Sequence, residues 1–239
     1  MAQHVFVTGG ARGIGAAIVT MFAQAGYRVS FSYLKSHGKA AALAAETGAL
    51  ALCADGCDEG AVADAVSRAK AENGPVNALI NCAGISSFEL FQDVSTEQWD
   101  KTVNTNLRAA FFYIRALLPD MIAEGDGVIL NISSVWGMVG SSCEVLYSTT
   151  KAALIGMTKA LAKEVAPSGI RVNCIAPGVI DTDMNASLDG ATMAALAEET
   201  PIGRIGTPED VARLALYLVR DDRFLVGQVL SPNGGFVIC

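Results

Sequence analysis

Short apolar or β-branched runs alternate along the chain with longer Ala-rich stretches. The runs cover 4–8, 28–33, 49–53, 77–81, 127–133, 170–176 and 227–231. They do not alternate strictly between apolar and polar positions, which is how strands covered on both faces read. The stretches near 13–25, 38–47, 58–72, 96–122, 145–166 and 207–219 predict helices. Helix punctuation agrees: Ser95-Thr96-Glu97-Gln98 is a capping pattern, and Thr207-Pro208-Glu209-Asp210 puts proline at a first helical position. Strand–helix alternation of this kind predicts an α/β fold. It implies one Rossmann-type, doubly wound domain over 1–239, with a mostly seven-stranded parallel sheet flanked by helices. The stretch 183–206 has its own Ala-rich piece and leads through Pro201-Ile202-Gly203-Arg204. It reads as a mobile cover over a substrate site, not as a second domain.

Composition narrows the choice of ligand more than the choice of fold. Hydrophobic residues make up 51% and charged ones 17%, which suits a buried sheet and excludes a disordered chain. The net charge of −7 is uneven. Residues 1–45 hold Arg12, Arg28, Lys35 and Lys39 and no acid; the remaining 13 basic and 24 acidic residues leave −11. An acidic bulk argues against nucleic acid, and a basic front points to a small anionic ligand. No uncharged stretch reads as a membrane span, and Met1-Ala2-Gln3-His4 carries no basic leader, so a cytoplasmic protein is expected. The cysteines at 53, 57, 82, 143, 174 and 239 form no Cys-x-x-Cys pair, and only His4 and His37 accompany them. They are expected to be buried free thiols, with no metal.

The first strand runs into Thr8-Gly9-Gly10-Ala11-Arg12-Gly13-Ile14-Gly15, and a helix follows. Gly9, Gly13 and Gly15 allow a tight turn that brings helix N–H groups, with the helix dipole behind them, up to a pyrophosphate. The spacing is not strict G-x-G-x-x-G, so the strand–turn–helix context carries the reading. The second strand ends in Leu34-Lys35-Ser36-His37, without the carboxylate that would hold a ribose 2′-hydroxyl. Arg12, Lys35 and Ser36 are suited to a 2′-phosphate, so NADPH is expected over NADH.

Tyr147-Ser148-Thr149-Thr150-Lys151 opens a long helix and sets the phenol and the ammonium on one face. A nearby ammonium is expected to lower the tyrosine pKa and make it a proton donor to an oxygen whose carbon receives hydride. Ser134 stands just past an apolar strand, where ligands of open α/β sheets bind.

Taken in order, these residues resemble the short-chain dehydrogenases/reductases, in the branch similar to 3-oxoacyl-(acyl-carrier-protein) reductases. The likeness spans the chain: the turn 8–15, Asp55, Asn81-Cys82-Ala83-Gly84, Asn106, Ser134, Tyr147, Lys151, Pro177-Gly178-Val179-Ile180-Asp181-Thr182 and Gly227-Gln228…Gly234-Gly235. Cys82 and Asn233 depart from the usual Asn and Asp. The resemblance implies a homotetramer or homodimer and a ketone reductase in which Tyr147 is the acid. Lys151 lowers the phenol's pKa and bonds the nicotinamide ribose, and Ser134 polarises the carbonyl. Asn106 either holds a water or caps backbone groups. It further implies cofactor contacts from Ile14, Asp55, Asn81, Ala83, Gly84, Pro177, Gly178, Ile180 and Thr182.

The loops 123–127 and 166–169 offer no arginine and two acids. By the same resemblance they are expected to lie beside the cleft, where they disfavour an acidic carrier protein. Residues 133–147 are similar to bacterial reductases acting on a 5-aminopentanone group carried by translation elongation factor P. Glu144 is then expected to hold a substrate ammonium and Trp136 to form an apolar wall; alternatively, Glu144 is a helix N-terminal acid. Steroid, sugar or polyol substrates stay open, and so does a catalytically silent dinucleotide sensor, although that class would be expected to lack Tyr147 or Lys151.

Overall fold

A computed structural model of the chain describes residues 3–185 and 189–238. The seven strands are β1 (His4–Thr8), β2 (Arg28–Tyr33), β3 (Leu50–Cys53), β4 (Ala78–Asn81), β5 (Gly127–Ile132), β6 (Ile170–Ile175) and β7 (Val229–Leu230). They form one sheet in the order β3-β2-β1-β4-β5-β6-β7, and every pairing is parallel. Every residue of β1, β4, β5 and β6 is buried. That explains why those runs do not alternate. Val5 and Val7 face one apolar layer with Ile18, Phe22 and Leu218; Phe6, between them, faces another with Tyr113, Leu117 and Ile129. Each such side chain contributes about 1.5–3 kcal/mol on burial.

The helices covering the sheet are α1 (Gly13–Gln24), α2 (His37–Thr47), α3 (Glu59–Asn73), α4 (Thr96–Val103), α5 (Ala109–Glu124), α6 (Val135–Val139), α7 (Val145–Val165), α8 (Gly190–Glu199) and α9 (Pro208–Arg220). Both capping patterns form: Ser95 with Gln98 before α4, and Thr207 with Asp210 before α9. The helix expected at 96–122 is interrupted by a π-helical stretch, Asn104–Arg108, between α4 and α5. The short α6 was not expected, and α8 is the Ala-rich piece of 183–206, of which residues 186–188 lie outside the described residues.

β1 is paired on one side with β2 and on the other with β4, so the chain reverses its direction of winding there. The carboxyl ends of β1 and β4 flank the crevice that such a reversal opens. The loops 123–127 and 166–169 precede β5 and β6, and therefore sit at the opposite, amino edge. A Cβ on Gly169 would lie 2.2 Å from the Gly125 carbonyl oxygen, so the two loops touch each other there. The expectation that they border this chain's cleft is corrected, and with it the charge argument against an acidic carrier.

The thiol expectation is also corrected in part. Cys174 is buried, but Cys57, Cys82 and Cys143 are only half-buried and Cys53, at the end of the edge strand β3, is exposed; Cys239 lies outside the described residues.

Candidate active site

The phosphate turn is locked by close packing. Gly9 sits at φ 67°, and a Cβ there would lie 2.8 Å from Ala83 Cα; a Cβ on Gly15 would lie 2.3 Å from the Gly9 carbonyl oxygen. Thr8 Oγ1 accepts from the N–H groups of Cys82 (3.0 Å) and Ala83 (3.1 Å), tying the end of β1 to the loop after β4. Arg12 is the N-cap of α1 in an extended conformation, with no side-chain cap and no acid in the first turn. The first amides of α1 are thus not capped by Arg12, and the helix end is suited to an anion. Ile14, half-buried, packs against the core.

Across the turn lies Thr182, whose Cγ2 would be 3.3 Å from a Cβ on Gly13. Arg12, Lys39, Thr182 and Asp183 line one open cleft, bridged by a 2.5 Å Lys39–Asp183 ion pair. Lys35 is exposed, and half-buried Ser36 is the N-cap of α2 without a side-chain cap bond. Asp55 Oδ1 accepts from the Cys57 N–H at 2.9 Å, which fixes the turn after β3. Asn81 Nδ2 donates to Asn131 Oδ1 inside the sheet. The Pro177 carbonyl accepts from the Val135 N–H, and the Gly178 N–H donates to the Pro232 carbonyl. Ile180 is buried against Gly206.

The four expected catalytic residues come together at the carboxyl ends of β4 and β5. Ser134 caps α6, its Oγ accepting from the Trp136 N–H at 3.2 Å, and its hydroxyl lies near enough to Tyr147 to favour the phenolate. Tyr147 and Lys151 are buried on α7, with Lys151 Nζ 5.5 Å from the phenol ring centroid. Lys151 Nζ donates to the Ile132 carbonyl at 2.8 Å, and Ser133 Oγ donates to the Lys151 carbonyl at 2.7 Å. A Cβ on Gly84 would lie 3.3 Å from Lys151 Nζ, so a side chain there would crowd the ammonium.

Burial dominates the phenol and pushes Tyr147 up to about 12; the Ser134 hydrogen bond opposes this, and the nearby Glu144 charge adds to it. Burial likewise lowers the Lys151 pKa. The ammonium lies beside the ring and donates to the Ile132 carbonyl. Asn106, in the π-helical stretch, bonds the Ile85 backbone in both directions, accepting at 2.8 Å and donating at 2.9 Å, and also donates to Thr150 Oγ1 at 3.0 Å. Its side chain ties the loop after β4 to α7.

Glu144 is the N-cap of α7 but makes no side-chain cap bond. Its Oε1 instead accepts from Ser86 Oγ at 2.9 Å. The preceding residue, Cys143, has φ 61°, and among the described residues it is the only non-glycine with positive φ. The Glu89 N–H, donating to the Cys143 carbonyl at 2.8 Å, holds this turn. Sequence reasoning missed Ser86, Cys143 and the tie that Thr8 makes to the loop after β4. Their roles depend on loops meeting across the crevice, which no local spacing records.

Comparison with known proteins agrees with this geometry. Residues 9–237 match a family model described as enoyl-(acyl carrier protein) reductase. The chain is 40% identical over 237 residues to an acetoacetyl-CoA reductase of Rhizobium meliloti, covering 98% of each. It is also 40% identical over 239 residues to a 3-oxoacyl-(acyl-carrier-protein) reductase of Chlamydia trachomatis, covering 98% of this chain and 96% of that one. Among solved structures, a 3-oxoacyl-(acyl-carrier protein) reductase from Brucella melitensis superposes with TM-score 0.93 at 33% identity, covering 99% of this chain and 92% of that one. ElxO with NADP bound gives 0.91 at 31% identity, covering 99% of each. With turn, crevice and buried Ser–Tyr–Lys group all in place, the chain belongs to the short-chain dehydrogenase/reductase family of NAD(P)H-dependent oxidoreductases.

Proposed function

We propose that this protein reduces the ketone of a 3-oxoacyl-type substrate to an alcohol, using NADPH, with Tyr147 as the proton donor. The observation that carries the reading is the grouping of the Ser134 and Tyr147 hydroxyls, both on buried residues, beside the Lys151 ammonium. Two hydroxyls there converge on the place of one oxygen, which suits a C=O group better than the C=C bond named by the family model. The two curated relatives that match nearly end to end are both named for ketone-bearing thioesters.

The residues present fit the dinucleotide, because the glycine turn leads into the α1 N-terminus, which has no side-chain cap, beside an open cleft lined by Arg12, Gly13, Lys39 and Thr182. The turn 9–15 would take the pyrophosphate; Arg12, Lys35 and Ser36 the 2′-phosphate; Asp55 the adenine. Ala83, Gly84 and Lys151 would take the ribose, and Pro177–Thr182 the nicotinamide end. When bound, the nicotinamide supplies the hydride that reaches the carbonyl carbon. Ser134 Oγ orients the carbonyl oxygen, and Tyr147 Oη gives that oxygen its proton. Replacing Tyr147 with Phe should lower kcat by about 10²–10⁴ while NADP⁺ still binds; unchanged turnover would overturn the assignment. Comparing initial rates with NADPH and NADH tests the phosphate site, and a preference for NADH would refute it.

Glu144 favours a second reading, a cationic aminoketone such as the 5-aminopentanone group on elongation factor P. Its carboxylate faces Ser86 and the phenol, and it has no ion-pair partner among the described residues. Glu144→Gln should raise KM for an aminoketone and spare a neutral ketone; equal effects on both would dismiss it. We further propose a cytoplasmic homotetramer packed through α4, α5 and α7 and the C-terminal strand. Exposed Trp99, Phe111 and Val145 on those helices support it, and sedimentation analysis would test it.

A further inference from the structure

The C-terminal segment makes contacts that a sheet-edge tail does not need. Past β7, Asn233 folds a turn on itself: its Nδ2 donates to Ser231 Oγ (2.8 Å) and to the Val237 carbonyl (2.9 Å), and its Oδ1 accepts from the Gly235 N–H (2.8 Å). This turn touches three parts of the site. A Cβ on Gly178 would lie 2.9 Å from Asn233 Cα, so the turn backs directly onto the Pro177–Thr182 segment. The Ile202 N–H donates to the Gly234 carbonyl at 3.1 Å. A Cβ on Gly235 would lie 3.0 Å from Pro201 Cγ, so the end of 183–206 rests on the same turn. Finally, the half-buried ring of Phe236 meets the half-buried ring of Trp136 edge to face, with centroids 5.7 Å apart.

Trp136 stands two residues past Ser134, and its N–H holds the Ser134 oxygen. Gly137, next along, is clamped against α7: a Cβ there would lie 2.7 Å from the Lys151 carbonyl carbon. α6 is therefore packed directly on α7 at Gly137. The Trp136 indole, half-buried, rests edge to face on the Phe236 ring. An edge-to-face pair of this kind holds a ring at one angle through its quadrupole as well as its bulk.

We propose that Phe236 is a specificity-determining positioning residue. By bracing Trp136, it fixes how far the apolar side of the cleft opens beside Ser134, and so limits the chain length of the ketone accepted. This rests on the ketone-reductase reading above. Phe236 touches no reacting atom in that scheme; it acts through Trp136. The neutral apolar chain is selected at this side of the cleft, distinct from Glu144 and Ser86.

The test compares a short, methyl-terminated 3-oxo thioester with a long-chain one, both as N-acetylcysteamine esters, with NADPH. Phe236→Ala should raise kcat/KM for the long ester relative to the short one by about tenfold, chiefly through KM. Phe236→Tyr keeps the ring and should retain the wild-type ratio. In a Trp99→Phe background Trp136 is the sole tryptophan, and Phe236→Ala should then shift its emission to the red. An unchanged ratio in a folded, NADP⁺-binding Ala variant would overturn the proposal, and so would equal losses on both esters. If Phe236→Ala fails to fold, Phe236→Leu must show the same direction of change in the ratio. If the wild-type protein reduces neither ester, the reaction assignment itself fails, which is a separate outcome.

Discussion

The phenol's environment fixes how the two directions of the reaction should respond to pH. Burial holds Tyr147 at about 12. At pH 8 only about one phenol in ten thousand is then ionised, by the ordinary titration relation. Reduction needs the protonated form, so its kcat/KM should be flat from pH 6 to pH 9. Oxidation of the corresponding alcohol needs the phenolate, so its kcat/KM should rise about tenfold per pH unit over the same range. Two substitutions should move the oxidation profile in opposite directions. Ser134→Ala removes a hydrogen bond that lowers the phenol's pKa and should push the rise to higher pH; Glu144→Gln removes a charge that raises it and should pull the rise to lower pH. Initial rates in both directions, measured at constant ionic strength, suffice as the assay. An oxidation profile that levels off near pH 7 would refute the reasoning. It would mean that Lys151 sets the phenol's acidity after all, despite donating to Ile132.

Further tests address the scaffold. Gly9→Ala meets both a left-handed backbone and Ala83 Cα, so it should cost about 1–3 kcal/mol of stability and abolish NADP⁺ binding, read by urea denaturation and by titration. Asp222→Asn leaves the buried Arg171 guanidinium with carbonyl partners alone and should destabilise by about 3 kcal/mol; a change under about 1 kcal/mol would show the pair to be marginal. His4, buried between the Gly74 carbonyl and Ser30, is held below its usual pKa by desolvation. The unfolded chain therefore takes up a proton near pH 6.5 before the native one does, and His4's contribution is complete above that pH and declines as pH falls below it. The urea midpoint should drop between pH 7.5 and pH 5.5 by less in His4→Gln than in the wild type, and equal drops would exclude His4 as a source.

The sheet was legible because β1, β4, β5 and β6 are buried on both faces, and unbroken apolar runs record that directly. The phosphate turn and the Tyr147–Lys151 pair were legible because each depends on spacing within one turn or one helix. What escaped depends on distance. The α6 turn is only five residues long and is fixed by packing of Gly137 on Lys151, so it has no periodicity of its own. The phenol's acidity depends on burial and on Ser134 and Glu144 together, which a Tyr-x-x-x-Lys spacing cannot express. The charges of the loops 123–127 and 166–169 do not record which edge of the sheet those loops occupy. In a parallel sheet, strand direction alone decides which loops share an end.

The π-helical stretch at Asn104–Arg108 has a geometric consequence of its own. Regular α-helix advances about 100° per residue, and a π turn accommodates one more residue than that period allows. α4 and α5 are therefore out of phase by about one residue's rotation, with Asn106 at the dislocation. Deleting a single residue from this stretch would restore an unbroken helix. It would also swing either Asn106 away from Ile85 or Tyr113 and Leu117 out of the core. The irregularity lets one continuous rod serve two faces that a regular helix could not align together.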